Sequence, residues 1–292
     1  MDATPEQPLK KAGIASLIGR ANAGKSTLLN TLAGTKLAAV THKPHTTRTN
    51  LHGVVNSPAG QVVFVDTPGV FKHSAMKLSD ILIKSVHEAL SDIDVILYIA
   101  DPTRAIDAEE RYIVSLLRQT GLPKILVLNK SDLPAGEKKY ADDYRDLSGE
   151  FTAMFEVSAL RNRHVKPLLD KVWELLPVGE PLYPPEQRTN INSREWVAEI
   201  IREKIFLALR QEVPYTTYVT VESMEEKNNV LVIASKVFTY EKRYKKMIIG
   251  EGGRSIKEIG IAARKELEAA LNKKIFLELE VETDPHWMER LE

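Results

Sequence analysis

Cysteine is absent from the 292-residue sequence. Its absence excludes disulfides, catalytic thiols and cysteine metal sites, and it is typical of proteins of a reducing compartment. Long apolar runs are absent as well, because the longest, Val95 to Ala100, is far too short to cross a bilayer. Residues 1–13 contain Asp2 and Glu6 and no apolar segment, which argues against a secretory signal or a transit peptide. We therefore expect a soluble cytoplasmic protein.

Neither charge is in excess, since 40 Lys and Arg residues balance 40 Asp and Glu residues. Any nucleic-acid-binding surface must therefore be local. The length suggests about two domains of roughly 150 residues each. Four prolines and one glycine within residues 177–185 indicate a stiff boundary between them. We predict an N-terminal tail at 1–12, a first domain at 13–176, a linker at 177–190 and a second domain at 191–292.

The segment Gly19 to Ser26 fits the phosphate-binding pattern G-x-x-x-x-G-K-[ST]. It follows the apolar run Ile14 to Ile18 and opens into residues with helical apolar spacing, the strand, loop and helix context that the pattern requires. Glycines let backbone N–H groups turn toward a phosphate, Lys25 adds a positive charge, and the Ser26 hydroxyl can hold Mg²⁺. The predicted nucleotide-binding residues of this segment are Gly19, Asn22, Ala23, Gly24, Lys25, Ser26 and Thr27.

Short apolar runs alternate with amphipathic segments through the first domain, which predicts a doubly wound α/β fold with a mostly parallel sheet. In such a fold the ligands lie at the carboxyl ends of the strands. Polar clusters follow three of the predicted strands, and a threonine-rich stretch precedes another. The clusters are Asp66 to Gly69, Asn129 to Asp132 and Ser158 to Leu160, and the threonine-rich stretch is His42 to Arg48.

Together with the phosphate loop, these clusters resemble, in order and spacing, the five nucleotide-binding motifs of the translation-factor-like GTPases. We expect Asp66 to hold Mg²⁺ with Ser26, and the resemblance adds Thr47 in preference to Thr46. The Gly69 N–H would point at the γ-phosphate. Asp132 can accept two hydrogen bonds from guanine, and adenine lacks that pair of donors, so the residue would select GTP over ATP. The other predicted guanine contacts are Asn129, Lys130, Ser158, Leu160 and Ala159, whose N–H would meet the guanine O6.

The predicted reaction is metal-assisted transfer of the γ-phosphoryl group of GTP to water, with Lys25, Thr47 and Gly69 as catalytic residues. Many small GTPases place a water-orienting glutamine where this sequence has Val70, so we expect slow intrinsic hydrolysis. Asn22 resembles an asparagine with which related GTPases hold K⁺ beside the phosphates. Bound K⁺ is a hypothesis, and a turn asparagine without an ion is an equal alternative. We interpret four other polar residues as solvated loop residues and not as catalytic groups: Arg104, His42, His45 and His73.

The second domain is predicted to be a smaller α+β unit, with amphipathic helices at Ser193–Gln211 and Ser255–Leu271. Strands are predicted at 217–222, 230–234 and 274–282, with a charged loop at 225–229 between the first two. Gly250 to Gly253 fits G-x-x-G, lies before an amphipathic helix and has basic residues around it. This arrangement resembles the type II K-homology (KH) RNA-binding domain.

A turn of small residues lets the backbone of single-stranded RNA approach closely, while lysines neutralise its phosphates. The apolar groove alongside would read the bases, with Ile248, Ile249 and Ile256 as candidate walls. The predicted RNA-binding residues are Lys242, Lys245, Lys246, Ile248, Ile249, Gly250, Gly252, Gly253 and Arg254.

A GTPase domain joined to a KH domain is similar to the bacterial Era family over almost the whole chain. The segments Lys245 to Gly250 and Ile259 to Lys265 match that family's pattern closely. The resemblance implies a ribosome assembly factor that uses GTP/GDP and Mg²⁺. It also implies binding to the 3′ end of 16S ribosomal RNA during maturation of the small (30S) subunit, with GTP favouring the RNA-binding state. We expect a monomer that does not bind DNA.

Two alternatives remain open. A tRNA-modifying GTPase is disfavoured because the sequence has no C-x-x-C and no further catalytic domain. The other is a GTP-controlled protein-interaction or membrane-associated signalling protein. For the assembly factor, too, a peripheral association with the inner membrane is left open. The acidic last strand would suit a protein partner, although we interpret it as the solvated side of an edge strand. Its acidic residues, where the family resemblance leads us to expect more lysine, are Glu278, Glu280, Glu282 and Asp284.

Overall fold

The computed structural model describes residues 10–39, 51–66, 93–209 and 213–287. Its contacts divide the chain into two compact units, which meet in sequence between Asn190 and Ile191. Within the described ranges no helix is long and apolar enough to cross a membrane. Several predicted features lie outside the described residues: the stretch His42 to Arg48 with Thr46 and Thr47, Gly69, Val70 and His73.

The described part of the first unit is built on a six-stranded sheet. Its strands are β1 (Lys11–Ile18), β2 (Leu51–Ser57), β3 (Gly60–Asp66), β4 (Val95–Ala100), β5 (Lys124–Leu128) and β6 (Ala153–Glu156). They are ordered β2-β3-β1-β4-β5-β6, and the β2–β3 pair is antiparallel while every other pair is parallel. Strands β3 and β4 are buried along their whole length, as near-continuous apolar runs predict for a covered parallel sheet.

Four described helices accompany this sheet: α1 (Lys25–Ala33), α2 (Ala108–Arg118), α3 (Ala141–Arg145) and α4 (Val165–Leu175). Helix α2 illustrates how local sequence sets a helix start. The Asp107 carboxylate accepts hydrogen bonds from the N–H groups of Glu109 and Glu110, which satisfies two backbone donors of the first turn. The two glutamates add negative charge where the helix dipole is positive. The apolar face of α2 buries Ile113, Val114 and Leu117.

The proline-rich segment 177–190 packs along the β2–β3 hairpin of the first unit. The Val54 N–H donates to the Arg188 carbonyl at 2.9 Å. Gln61, which is 1% exposed, accepts hydrogen bonds at its Oε1 from the N–H groups of Leu182 and Tyr183, at 2.7 and 2.8 Å. Fixed φ angles in the prolines suit an extended segment that lies on an edge strand.

The second unit has the element order α5 (Ser193–Ala208), β7 (Thr217–Lys227), β8 (Val230–Thr239), α6 (Lys242–Ile249), α7 (Arg254–Leu271) and β9 (Lys274–Thr283). Strands β7 and β8 are antiparallel, and β8 pairs with β9 in parallel. Asn192 and Glu195 form a capping box at the start of α5. The core combines one face of each long helix with the sheet, as Ile201, Ile259 and Ile233 exemplify.

The β7–β8 hairpin corrects one prediction. The expected charged loop at 225–229 is strand as far as Lys227, and the turn consists of Asn228 and Asn229 alone. Both asparagines have positive φ, 50° and 61°, a conformation that asparagine tolerates and that two-residue hairpin turns require. Charged side chains do not end a strand when one of its faces is open to water. Helix α5 likewise ends at Ala208, before the predicted Gln211.

Candidate functional site

The loop between β1 and α1 requires glycine at both ends for different reasons. A Cβ on Gly19 would lie 2.4 Å from the Ile99 carbonyl oxygen, so the neighbouring strand leaves no room for a side chain. Gly24 has φ of 100°, and a Cβ there would lie 2.2 Å from the Asn129 Nδ2. The loop therefore packs against β4 and against the segment after β5, which brings its backbone N–H groups to the start of α1.

Lys25 is nearly buried, with 6% of its surface exposed. Its Nζ donates to the carbonyl oxygens of Gly19 at 2.8 Å and Arg20 at 3.0 Å. Burial lowers the pKa of Lys25 from its ordinary value, while the charge of Asp66 opposes that shift. The ammonium group is thus held inside the loop by two carbonyls, in the position that a phosphate-binding lysine occupies.

Ser26 and Asp66 meet at the carboxyl end of the sheet. The Ser26 hydroxyl donates to Asp66 Oδ2 at 2.5 Å, and Asp66 is fully buried at the end of β3. A hydroxyl and one carboxylate are oxygen ligands of the kind that Mg²⁺ takes when substrate phosphates and water supply the rest. Among the described residues no cluster of three or more His, Cys, Asp or Glu side chains could hold a metal ion by itself. These donors therefore fit Mg²⁺ bound together with a nucleotide.

Asn129 connects the phosphate loop to the loop after β6. Its Nδ2 donates to the Ala23 carbonyl at 2.9 Å, and its Oδ1 accepts from the Ala159 N–H at 3.0 Å. The Thr31 hydroxyl donates to the Ala159 carbonyl at 2.8 Å. The Ala159 N–H, which is predicted to meet the guanine O6, thus donates to the Asn129 side chain in this structure. A hydrogen bond from this N–H to a base must be shared with Asn129 or replace the bond to Asn129.

Asp132 is half-buried, and a hydrogen bond from the Ser158 side chain holds the pKa of its carboxyl below the usual value. It is therefore an ionised acceptor at neutral pH. The Ser131 N–H donates to the Val157 carbonyl at 3.0 Å, which places the segments after β5 and β6 side by side. Leu160 is 72% exposed beside them.

Lys130 has a hydrogen-bonding partner that sequence reasoning missed. Its Nζ donates to Asp101 Oδ2 at 2.6 Å. Burial raises the pKa of Asp101, but hydrogen bonds from Lys130 and Thr103 outweigh burial and hold it below its ordinary value. Asp101 directly follows β4, so its position at a strand end was a usable signal. Arg104, three residues further on, is exposed and donates from its Nη1 to the Ala21 carbonyl at 3.4 Å.

The turn between α6 and α7 has an unusual backbone, since Gly250, Gly252 and Gly253 have φ of 73°, 59° and 77°. A Cβ on Gly250 would lie 2.7 Å from the Ser255 Cβ, whereas Gly252 and Gly253 face open space. Lys242, Lys246 and Arg254 are exposed around this turn, and Lys245 is half-buried. The turn is thus a glycine-lined edge flanked by positive charge.

Beside the turn, α7 and β9 enclose a groove of about 280 Å³. Phe276 and Ile261, 53% and 39% exposed, offer apolar surface to it. Neither was predicted, although a phenylalanine on an otherwise polar strand face is a usable signal. The residues that line the groove are Ile256, Lys257, Gly260, Ile261, Arg264, Phe276, Leu277 and Leu279.

One of the predicted groove walls requires correction. Ile248 is completely buried in the core, because it lies on the inward face of α6 with Tyr244, whereas Ile249 is half-buried and stays a candidate wall. Of the three predicted walls, Ile256 lines the groove. Glu278 and Glu280 alternate with Leu277 and Leu279 along β9, so they lie on the exposed face of the strand, which also carries Phe276.

Models of two known families match this chain. Residues 14–130 match the family described as "50S ribosome-binding GTPase", and residues 212–288 match the KH domain. Fold and site together define a P-loop GTPase followed by a KH domain, and the predicted fold class is confirmed. The "GTPase Era" of Trichlorobacter lovleyi is 39% identical over 96% of this chain and 95% of its own. That of Halothermothrix orenii is 36% identical, again over 96% and 95%. The chain belongs to the Era family of GTPases.

Two solved structures are similar over almost the whole chain. One is Era of Aquifex aeolicus bound to GDP and AlF4⁻, and the other is Era in complex with MgGDPNP and nucleotides 1506–1542 of 16S ribosomal RNA. Each has a TM-score of 0.85 and 34% identity and covers 96% of both chains. The predicted enzyme class, a GTPase, is confirmed.

Proposed function

We propose that this GTPase is a ribosome assembly factor that binds the 3′ end of 16S ribosomal RNA and assists small (30S) subunit maturation. The observation that carries the proposal is the glycine turn and apolar groove of the second unit, set among exposed basic side chains. A relative similar over 96% of this chain is known in complex with nucleotides 1506–1542 of that RNA. Such a protein acts where ribosomes are assembled, so a cytoplasmic location is part of the proposal.

The chemistry of the groove suits single-stranded RNA. Gly252 and Gly253 expose backbone without side chains, which lets a sugar-phosphate chain approach closely. Lys246 and Arg254 lie where they can neutralise its phosphates. Unstacked bases need apolar or aromatic surface, and the exposed ring of Phe276 provides it. Double-stranded nucleic acid would offer no free base face to this groove.

In the first unit we assign the phosphates to the loop N–H groups and Lys25, and the guanine base to Asp132. Asp132 is ionised and only half-buried, so its carboxylate can accept the two guanine donors. Asn129 acts chiefly by joining Ala23 to Ala159, and so it fixes the distance between the phosphate end and the base end of the site. Gly19, Asn22, Gly24, Thr27, Lys130, Ser158 and Leu160 keep the nucleotide-binding roles expected of them.

Ser26 and Asp66 would hold Mg²⁺, which neutralises charge on the β- and γ-phosphates when bound. Lys25 stabilises negative charge in the same place, from a buried position where its field is little screened. Thr47 and Gly69 keep their proposed catalytic roles, and Thr47 also keeps its proposed role as a Mg²⁺ ligand. A K⁺ ion beside Asn22 remains a proposal that ion replacement can test.

The test compares RNA binding by groove variants with that of a matched control. Lys246→Glu reverses a charge on an exposed side chain, and Gly252→Asp with Gly253→Asp adds carboxylates to the turn. Gly149→Asp is the control, because Gly149 is exposed in the first unit and a Cβ there meets nothing within 4 Å. We expect the groove variants to lose binding of a single-stranded 16S 3′-end RNA while their GTP hydrolysis stays intact. If Lys246→Glu and the double glycine variant both bind the RNA as well as the control does, the second unit would be assigned to a protein partner.

A further inference from the structure

Arg20 occupies a position that the phosphate-loop pattern leaves unspecified, yet both of its ends are engaged. Its carbonyl oxygen accepts hydrogen bonds from Lys25 Nζ at 3.0 Å and from the Ala23 N–H at 3.3 Å. The position of the Lys25 ammonium group therefore depends on the position of the Arg20 backbone. Ala23 in turn is the residue that Asn129 holds.

The Arg20 side chain, 16% exposed, contacts three carboxylates at the start of α2. Its Nη2 lies 3.1 Å from Asp107 Oδ2, and its Nε lies 3.4 Å from Glu109 Oε2 and 3.3 Å from Glu110 Oε2. A guanidinium is planar and always charged, so it can bridge several carboxylates that a lysine would contact only singly.

These carboxylates are themselves fixed in the first unit. Asp107 is the N-cap of α2, which sets its side chain by two backbone hydrogen bonds. Glu110 is 1% exposed, and its Oε1 accepts a hydrogen bond from the hydroxyl of Tyr98 on β4. Arg20 is consequently tied to a capped helix and to the central sheet, although it lies in a loop.

We propose that Arg20 is a positioning residue for nucleotide binding, which fixes Lys25 through its own carbonyl because α2 holds its side chain. It touches neither phosphate nor base in this assignment, and it acts through Lys25. The role extends the GTPase site and does not depend on what the second unit binds.

Glu110 makes this arrangement sensitive to pH. Burial raises the pKa of Glu110 to about 7, while Tyr98 and Arg20 act in the opposite direction. Glu109 and Asp107 face it from α2, and Tyr144 faces it from α3. Above pH 7 the carboxylate is charged and attracts Arg20. Below pH 7 a proton removes that attraction, so nucleotide affinity should fall as pH is lowered.

The experiment measures affinity and dissociation rate of a fluorescent GDP analogue for Arg20→Met, Arg20→Lys and Glu110→Gln. Arg118→Met is the matched control, because Arg118 lies at the other end of α2 and pairs with the Glu150 carboxylate, away from the phosphate loop. We expect Arg20→Met to weaken GDP binding by about tenfold, a loss of roughly 1.4 kcal/mol, and Arg118→Met to leave it unchanged. Arg20→Lys should recover part of the loss.

Wild-type affinity should fall between pH 8 and pH 6, and Glu110→Gln should bind weakly at both values with no such change. Thermal unfolding of each variant shows whether it is folded at the assay temperature. If Arg20→Met is unfolded, the affinities of Arg20→Lys and Glu110→Gln still test the proposal. The proposal is overturned if Arg20→Met binds GDP like Arg118→Met, or if Glu110→Gln keeps the wild-type pH profile. Neither result would bear on RNA binding.

Discussion

Replacement of Asn129 by alanine should damage stability and nucleotide binding together. The side chain is 3% exposed and makes two hydrogen bonds, to the Ala23 carbonyl at 2.9 Å and from the Ala159 N–H at 3.0 Å. Alanine can make neither. The phosphate loop and the loop after β6 would then lose the side chain that joins them.

The magnitude follows from what the substitution leaves behind. A buried polar group without a partner costs about 1–3 kcal/mol, so two such groups lower the free energy of unfolding by roughly 2–6 kcal/mol. A matched control is Asn56→Ala. Asn56 also makes two hydrogen bonds, to the Pro185 carbonyl and from Gln61, both at 2.9 Å, but it is half-buried at the end of β2. Water can reach the Pro185 carbonyl, and the Gln61 amide keeps its hydrogen bond to the Tyr183 carbonyl, so the control should lose less than about 2 kcal/mol.

Urea unfolding without nucleotide gives the first quantity, and titration with a fluorescent GDP analogue gives the second. We expect Asn129→Ala to lose more stability than Asn56→Ala and to bind GDP at least about tenfold more weakly, while Asn56→Ala binds normally. A variant at Asn129 that binds GDP like the control would refute the connecting role assigned to this side chain.

Three further predictions concern the first unit. Asp132→Asn should weaken GTP binding and improve xanthosine triphosphate binding, because an amide can donate to the xanthine O2 that replaces the guanine amino group. Competition titrations measure the preference between the two nucleotides, and an unchanged preference would show that Asp132 does not contact the base. Replacement of K⁺ by Na⁺ at constant ionic strength should slow hydrolysis if a cation lies beside Asn22, and equal rates exclude it. Because burial raises the pKa of Glu110 from 4.5 to about 7, its contribution to stability is present below pH 4.5 and is lost as pH rises through 7. The free energy of unfolding should therefore fall by up to about 3 kcal/mol more in wild type than in Glu110→Gln over that range, and parallel pH curves would contradict the assignment.

The first unit was largely predictable, because its signals are local or ordered along the chain. Gly19 to Ser26 lies in the expected context between β1 and α1, and polar residues follow β3, β5 and β6 where the sheet ends. Such strand ends converge by geometry, so the order of motifs carries spatial information. Local sequence does not show which side chains meet across the fold. The Lys130 and Asp101 pair and the Arg20 contacts with α2 join residues far apart in sequence.

The groove of the second unit was less predictable. Apolar spacing identified α5 and α7, but α6 is short, its apolar spacing predicted no helix, and Ile248 on it proved to be buried. Strand β9 contributes residues to the groove because it pairs in parallel with β8, and two helices separate these strands in the sequence. Likewise the length of the β7–β8 hairpin depended on Asn228 and Asn229 adopting positive φ, which the surrounding charges obscured.

The most direct test of the central claim is binding of a labelled single-stranded RNA with the sequence of the 16S 3′ end to the wild-type protein. Binding is measured with a non-hydrolysable GTP analogue, with GDP and without nucleotide, each over a range of salt concentrations. The account predicts binding that weakens with salt and is tightest with the GTP analogue. Equal affinity in all three states would contradict control by GTP, and absence of binding in every state would contradict the assignment of the second unit to this RNA.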